Sequence, residues 1–375
     1  MVEPFKHLIG ADTVRATARH LKRVWPMFNA TGFERQAGQG LEALEFKARA
    51  MHLASALEAT LPDDFAHAAD ILEASLGQAG AGDQLADLRT GDAGLAGWVM
   101  WPLGEFVVRR GMVSPQRALK VLHATTQRHT AEWALRPFIV QHPQLTFATL
   151  QQWTQDPSAH VRRLVSEGSR PRLPWGLQLK SLIADPSPTR PLLLALQDDR
   201  SEYVRRSVAN HLNDIAKDHP DLVLAWLKEH LPEASPERRA LLRHACRSLV
   251  KQGDAAVLRA WGLGRPLSGT ATLGLTPKRV RIGQELQLNL VLASTSARAQ
   301  TLLIDYVVHH VKANGSRSPK VFKAWKLELA AHERRELSKR HSLREITTRR
   351  YHPGRHGVQL QINGVEQARA DFDLS

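Results

Sequence analysis

The sequence predicts a mainly α chain in which a HEAT-like α-solenoid is followed by a small all-β immunoglobulin-like sandwich. Three observations lead there. Apolar residues recur every three and four positions over the first two thirds of the chain. A helical motif returns after 43 residues, a period typical of stacked helix pairs. Beyond residue 264 the pattern changes to alternation with period two.

From the N-terminus, Leu53, Leu57 and Leu61 mark one helical stripe, and Val161, Leu164 and Val165 mark another. Between them, Gly77-Gln-Ala-Gly-Ala-Gly-Asp and Thr90-Gly-Asp-Ala-Gly read as a flexible loop. Neither ends in the Gly-Lys-Ser/Thr of a phosphate-binding loop, so nucleotide hydrolysis finds no support. Asp156-Pro-Ser-Ala-His-Val-Arg-Arg-Leu-Val returns as Asp199-Arg-Ser-Glu-Tyr-Val-Arg-Arg-Ser-Val, and His142-Pro-Gln-Leu returns as His219-Pro-Asp-Leu. In the first repeat helix Arg163, Glu167 and Arg170 share a polar face. In the second, Arg206, Asn210, Asn213 and Asp214 do, with Val204, Val208, Leu212 and Ile215 turned inward. The offset superimposes Arg163 on Arg206, so stacked basic and polar side chains are expected on one surface.

Gly262-Leu-Gly-Arg-Pro-Leu-Ser-Gly interrupts the helical pattern. The residues after Arg279, Leu302, Trp325 and Val358 each open an alternating run, while Asn314-Gly315 and Asn363-Gly364 are hairpin-turn dipeptides. Five to eight strands are expected, and the domains are placed at 1–263 and 264–375.

Composition narrows the function. With 375 residues, 43% hydrophobic and 23% charged, the chain has the balance of a folded protein. No apolar run reaches the roughly 18 to 20 residues of a membrane span, and Met1-Val-Glu-Pro-Phe-Lys does not open like a secretory leader. A cytoplasmic monomer is expected, at the nucleoid when bound to DNA. The single Cys246 leaves no disulfide framework and no thiolate zinc cluster, and the 18 histidines show no metalloprotease spacing. No cofactor or metal is expected. The net charge of +14 is uneven: residues 1–150 carry 15 basic and 15 acidic side chains, 151–263 carry 17 and 13, and 264–375 carry 19 and 9. A basic chain without a membrane segment points to nucleic acid. In the C-terminal domain Arg349, Arg350 and Arg355 stand in Arg349-Arg-Tyr-His-Pro-Gly-Arg-His and are expected to contact DNA; charge protecting an edge strand is the plainer reading.

Three blocks are more specific. His129-Thr-Ala-Glu-Trp-Ala-Leu-Arg-Pro-Phe-Ile, Ser166-Glu-Gly-Ser-Arg-Pro-Arg-Leu-Pro-Trp and Val204-Arg-Arg-Ser-Val-Ala-Asn-His-Leu-Asn-Asp-Ile-Ala-Lys-Asp-His-Pro, in this order, resemble the AlkC branch of the HEAT-repeat alkylated-DNA glycosylases. The resemblance covers roughly residues 90–260, and a basic immunoglobulin-like tail accompanies part of that branch. Two positions depart from the family pattern: Ala131 stands where Ser is frequent and Trp133 where Phe is.

The resemblance implies hydrolysis of the N-glycosidic bond of cationic bases, of the 3-methyladenine and 3-methylcytosine type, in duplex DNA without full base flipping. An alkylated ring nitrogen makes the base a good leaving group, so the enzyme has only to stabilise charge on the sugar and hold a water. The carried-over residues are Glu132 as that carboxylate, Glu167 and Asp214 assisting, and Trp175 against the lesion sugar. Arg163, Arg170, Arg206 and Asn210 would face the DNA backbone. Spacing alone supports plainer readings: an i,i+4 pair of Glu132 with Arg136, an inter-repeat core role for Trp175, and a pairing of Asp214 with Lys217 or Lys251. Trp101 and Glu105 read as core and solvated rim, and Pro137 as a residue that ends or kinks its helix. A non-catalytic scaffold for damaged or branched DNA is the alternative function.

Overall fold

The structure, a computed structural model, describes residues 5–346 and 349–375. The first four residues of the opening stretch, Met1–Pro4, lie outside the described residues.

Sixteen α-helices precede eight strands among the described residues. The helices are α1 (Ala11–Val24), α2 (Ala30–Gly38), α3 (Phe46–Thr60), α4 (Phe65–Ser75), α5 (Met100–Gly111), α6 (Pro115–Thr126), α7 (Glu132–Gln141) and α8 (Pro143–Trp153). They continue as α9 (Ala159–Gly168), α10 (Lys180–Ala184), α11 (Arg190–Leu196), α12 (Glu202–Ile215), α13 (Pro220–His230), α14 (Pro236–Ala245), α15 (Arg247–Gln252) and α16 (Ala255–Ala260). Two compact units result, one of Met1–His219 with Glu233–Ala245 and one of Pro220–Pro232 with Cys246–Ser375. The second unit therefore combines α13, α15 and α16 with the sandwich.

Local signals start and stop these helices. Asn29 caps α2 by accepting from Gly32 N, and Asp64 caps α4 by accepting from His67 N. Pro143 opens α8 at its first turn, where a missing N–H costs nothing. Pro137 lies inside α7 and does not end it; its absent N–H deprives only the first-turn carbonyl of Trp133. In the first unit α3 packs on α5, α5 on α7, α9 on α12, and α12 on α14.

The 43-residue repeat is a structural device. Asp156 Oδ1 accepts from Ser158 N and Asp199 Oδ1 from Ser201 N, both at 2.8 Å, closing the same turn before α9 and α12. The first arginine of each pair, Arg162 or Arg205, donates to the carbonyl of its own turn aspartate. Arg162 also clamps the next repeat through Asp199 at 2.6 Å. Val204, Val208, Leu212 and Ile215 are all buried, as the pattern predicts. The repeated histidines do equivalent work, His142 bonding the Met112 carbonyl and His219 the Ile183 carbonyl.

The Gly77–Gly94 stretch departs from its reading as a flexible loop. Gly77 N donates to Leu95 O, Leu95 N to Ser75 O, and Gly80 N to Gln127 O, all at 2.9 Å. Gly94, at φ +156°, passes so close to Leu76 that a Cβ would lie 2.4 Å from backbone. Gly77 and Gly94 allow this close backbone approach.

The second unit holds strands β1 (Gly269–Thr276), β2 (Arg279–Val280), β3 (Glu285–Ser294), β4 (Gln300–Val311), β5 (Arg317–Leu329), β6 (Arg334–Ser342), β7 (Gly354–Ile362) and β8 (Val365–Leu374). One sheet has the order β1-β3-β6, the other β2-β8-β7-β4-β5. Alternate leucines of β3, Leu286, Leu288, Leu290 and Leu292, fill the space between them. The Asn363-Gly364 turn joins β7 to β8 with φ of 51° and 79°, the two positive values that a two-residue hairpin requires.

Candidate functional site

The site is built on α7, α9 and α12. Glu132 is the first residue of α7, where the unpaired N–H groups of the first turn favour a carboxylate. Thr130 fixes its rotamer: the hydroxyl accepts from Glu132 N and donates to Glu132 Oε2 at 2.7 Å. Arg163, reaching over from α9, donates to the same oxygen at 2.8 Å and to Thr130 at 3.2 Å.

From there an alternating chain of charges runs across the repeat. Arg163 lies 3.7 Å from Glu167, and Glu167 accepts from Arg170 at 2.5 Å and from Ser207 of α12 at 2.7 Å. Arg170 donates through Nε to Asp214 at 2.8 Å, and Asp214 takes a second bond from Lys217 at 2.8 Å. The Arg163 guanidinium sits 5.1 Å from the centre of the Tyr203 ring, an attractive placement for a cation. Glu132, Glu167 and Asp214 are all more than nine-tenths buried, so the pairing is needed to offset desolvation. Burial alone would raise the Glu167 proton affinity, but Arg163, Arg170 and Ser207 outweigh it and the carboxyl titrates below its ordinary range.

The three carboxylates are not equivalent. Both oxygens of Glu167 and both of Asp214 are engaged. Glu132 uses Oε2 alone; among the described residues its Oε1 has no hydrogen-bond partner. Glu132 lines a cleft of about 890 Å³ together with Arg163, Thr130, His129, Trp98, Trp133, Arg19 and Arg89. The site therefore presents one carboxylate oxygen free to meet a ligand or a water, within a charge-balanced network.

Aromatic side chains form the neighbouring wall. Trp101 and Trp133 stack at 4.3 Å between centroids, and Trp175 lies parallel to Trp101 at 6.1 Å. Trp101 is core, as its pattern predicts, whereas Trp175 is 59% exposed and so does not have the inter-repeat core role that spacing allowed. Trp175 also adopts φ 61°, the left-handed region, a strain of order 1 kcal/mol that its surroundings must hold. Its loop is held by Arg136, which is fully buried and donates to the carbonyls of Gly168, Arg170, Pro171 and Leu177. Arg136 thus serves the backbone and forms no ion pair with Glu132, although the i,i+4 spacing allows one.

The other sequence-predicted residues are dispersed. Arg206 is exposed and pairs with Glu202, in contrast to the enclosed Arg163 on which the repeat superimposes it. The common basic surface expected from that superposition is replaced by one inward and one outward arginine. Asn210 meets His244 Nε2 at 2.9 Å. Glu105 pairs with Arg109, and Asp214 with Lys217. In the second unit Arg349 lies over the rings of Phe322 and Tyr351, Arg350 is exposed, and Arg355 pairs with Asp371 at 3.2 Å. Sequence reasoning assigned no role to Thr130, Tyr203, Ser207 or the stack of Trp98, Trp101 and Trp133. Only the high tryptophan content, nine in the chain, hinted at the stack.

Comparison with known proteins then adds its own findings. Residues 123–249 match the model of the DNA alkylation repair enzyme family, and residues 269–375 match that of the C-terminal immunoglobulin-like domain of uncharacterised protein YhaZ. The chain is 33% identical to uncharacterized protein YhaZ of Bacillus subtilis, over 98% of its own length and 99% of that protein's. It superimposes on Pseudomonas fluorescens alkylpurine DNA glycosylase AlkC, solved with DNA containing an abasic-site analogue, with a TM-score of 0.89 and 34% identity over 99% of both chains. The chain belongs to the AlkC-type DNA alkylation repair family. The alkylation-repair match spans the α7, α9 and α12 elements that carry Glu132, Glu167 and Asp214, so in this AlkC-type chain the charge network lies inside the family's shared segment.

The buried histidines of this unit give the AlkC-type fold a defined acid sensitivity. Desolvation, then Arg163 and His160, brings His129 down to about 4, and desolvation brings His211 down to about 4. Both are neutral when folded and take up protons on unfolding below pH 6.5. The unfolded state then binds more protons, so stability rises with pH across this window. Thermal midpoints are expected to fall steadily from about pH 6.5 towards 4, and less steeply in His211→Gln. Below that range the depressed carboxyl of Glu167 extends the loss. A flat midpoint between pH 6.5 and 4 would contradict the neutral-histidine assignment.

Proposed function

We propose that this protein is a monofunctional DNA glycosylase that hydrolyses the N-glycosidic bond of cationic N-alkylated bases, of the 3-methyladenine and 3-methylcytosine type, in duplex DNA. The observation that carries the reading is the unshared oxygen of Glu132, held in a cleft by Thr130 and Arg163. The relation to an alkylpurine DNA glycosylase supports it independently.

The chemistry needs little else. As the bond from C1′ to the alkylated ring nitrogen lengthens, its electrons neutralise the base and positive charge grows on the deoxyribose. Glu132 Oε1 faces that charge and aligns a water for attack at C1′; the water's proton leaves by way of the carboxylate. Arg163 and Thr130 keep Oε2 occupied, so the carboxylate cannot rotate away. Glu167 and Asp214, fully bonded, act through Arg163 and Arg170 as positioning groups. Exposed Trp175 packs against the lesion sugar and keeps bulk water off it. Arg206, Arg349 and Arg350 contact backbone phosphates. A cationic base supplies its own lability, so full extrusion into an enclosed pocket is unnecessary, and the product abasic site passes to the later steps of base excision repair. The test is base release from duplexes carrying single defined lesions. Free 3-methyladenine is the expected product; tight binding without any release would make the chain a damage-binding scaffold instead.

A further inference from the structure

Arg163 stands between two carboxylates. It donates to Glu132 Oε2 at 2.8 Å, while Glu167 Oε2 is 3.7 Å away. Glu167 has other donors in Arg170 and Ser207, whereas Glu132 relies on Thr130 and Arg163. Both carboxylates attract the guanidinium, so charge alone does not choose between them. A guanidinium turned fully towards Glu167 would bond it as Arg170 does and leave Glu132 Oε2 short of its charged donor. The Glu132 carboxylate would then be free to rotate, and Oε1 would no longer be fixed on the cleft.

A further group touches Arg163. Tyr203, in the first turn of α12, has its ring centre 5.1 Å from Arg163 Cζ, and a planar guanidinium stacks well on an aromatic face. His160, at the equivalent position one repeat earlier, meets the Tyr203 ring edge-on, with centroids 5.6 Å apart and planes at 75°. The ring is therefore braced as well as placed. Burial pushes the Tyr203 hydroxyl up to about 12, with Glu132 and Glu167 adding to this against the pull of Arg163. A phenolate there would be one more anion competing for Arg163; the neutral ring attracts the cation without competing. Burial, and then Arg163, also lower the proton affinity of His160, so no second cation crowds the guanidinium. Arg163 lines the Glu132 cleft and Tyr203 does not.

We infer that Tyr203 is a positioning residue for base release: its ring holds the Arg163 guanidinium on Glu132 Oε2 and so keeps Oε1 turned to the cleft. Tyr203 acts through Arg163 and touches neither the sugar nor the base. The effect on rate rests on the glycosylase reading, whereas the effect on Arg163 does not.

The test uses the full chain carrying Tyr203→Leu or Tyr203→Phe, each with Glu132 intact and with Glu132→Gln. Single-turnover release of 3-methyladenine is measured at saturating duplex, binding is measured on a tetrahydrofuran duplex, and the Arg163 side-chain resonances are followed by ¹⁵N NMR, assigned with Arg163→Lys. Tyr203→Leu is expected to slow release roughly tenfold or more, the scale of one desolvated cation–π contact, and to shift the Arg163 resonances while duplex binding stays unchanged. Tyr203→Phe keeps the ring and should recover most of that rate. With Glu132→Gln present, Tyr203→Leu should cost less than about twofold more, because the two side chains act along one path; a merely structural role would cost the same in both backgrounds. Unchanged release or unmoved Arg163 resonances in Tyr203→Leu, no recovery in Tyr203→Phe, or equal loss in both backgrounds overturns the inference. Should Tyr203→Leu not fold, Tyr203→Met is read in the same way. A chain that releases no base in any form would sink the glycosylase reading, and the Arg163 resonances would still decide this one.

Discussion

Glu132→Gln is expected to lower the rate of base release at saturating DNA by roughly 10²- to 10³-fold, the scale of losing one preorganised electrostatic contact to a transition state. The substitution keeps the shape and leaves one oxygen acceptor for Thr130 and Arg163, which both meet Glu132 Oε2, at 2.7 and 2.8 Å. It removes the negative charge that faces the sugar. Duplex affinity should change little, because carboxylates do not attract phosphates, and the thermal midpoint should move by only a few degrees. Glu167→Gln and Asp214→Asn should lose less in the chemical step and more in stability, since all four of their oxygens serve the network rather than the ligand. If Glu167→Gln abolishes release while Glu132→Gln retains it, the roles assigned to the two glutamates are reversed. Single-turnover release from a duplex with one 3-methyladenine reads this directly.

Arg136→Met should be the most destabilising single change in the first unit, by about 3–5 kcal/mol in urea unfolding. The side chain is fully buried, and burial brings its pKa down to about 10, still charged at neutral pH. Its removal leaves the carbonyls of Gly168, Arg170, Pro171 and Leu177 without their donor, and each buried group so orphaned costs about 1–3 kcal/mol. Three of these carbonyls, those of Arg170, Pro171 and Leu177, lie in the loop after α9 that carries Trp175, and the fourth ends α9 itself. Partial loss of structure there should therefore also slow base release, with Glu132 itself intact. A change below about 1 kcal/mol would show that Arg136 is not what holds the loop.

The contrast between Arg136 and Arg163 shows where the sequence was legible. Repeat period, helical stripes and strand alternation report directly on which faces are buried, and they place α9, α12, β3 and the Asn363-Gly364 turn. The carboxylate at 132 was legible through its motif. What the spacing could not tell is which cation meets it. Arg136, four residues along the same helix, turns to backbone carbonyls, while the partner comes from Arg163, 31 residues away on another helix. Side-chain direction between helices depends on packing that no local period encodes. The same holds for the tryptophan stack, assembled from α5, the start of α7 and the loop after α9. The two arginines of the repeat diverge for a related reason. Arg163 has Glu132 opposite it, whereas Arg206 pairs with Glu202 on its own helix. The glycine stretch at 77–94 read as loose because composition does not reveal that backbone hydrogen bonds will close it.

The central claim is electrostatic, that the free oxygen of Glu132 faces a deoxyribose as it turns positive. It is tested most directly by the affinities of two duplexes that differ only at one abasic position, an uncharged tetrahydrofuran in one and a cationic azasugar in the other. An enzyme built for the charged transition state should bind the azasugar duplex roughly a hundredfold more tightly, and Glu132→Gln should abolish most of that difference while leaving tetrahydrofuran binding unchanged. Equal affinity for the two duplexes in the unmodified protein, or a preference that survives Glu132→Gln in full, would contradict it.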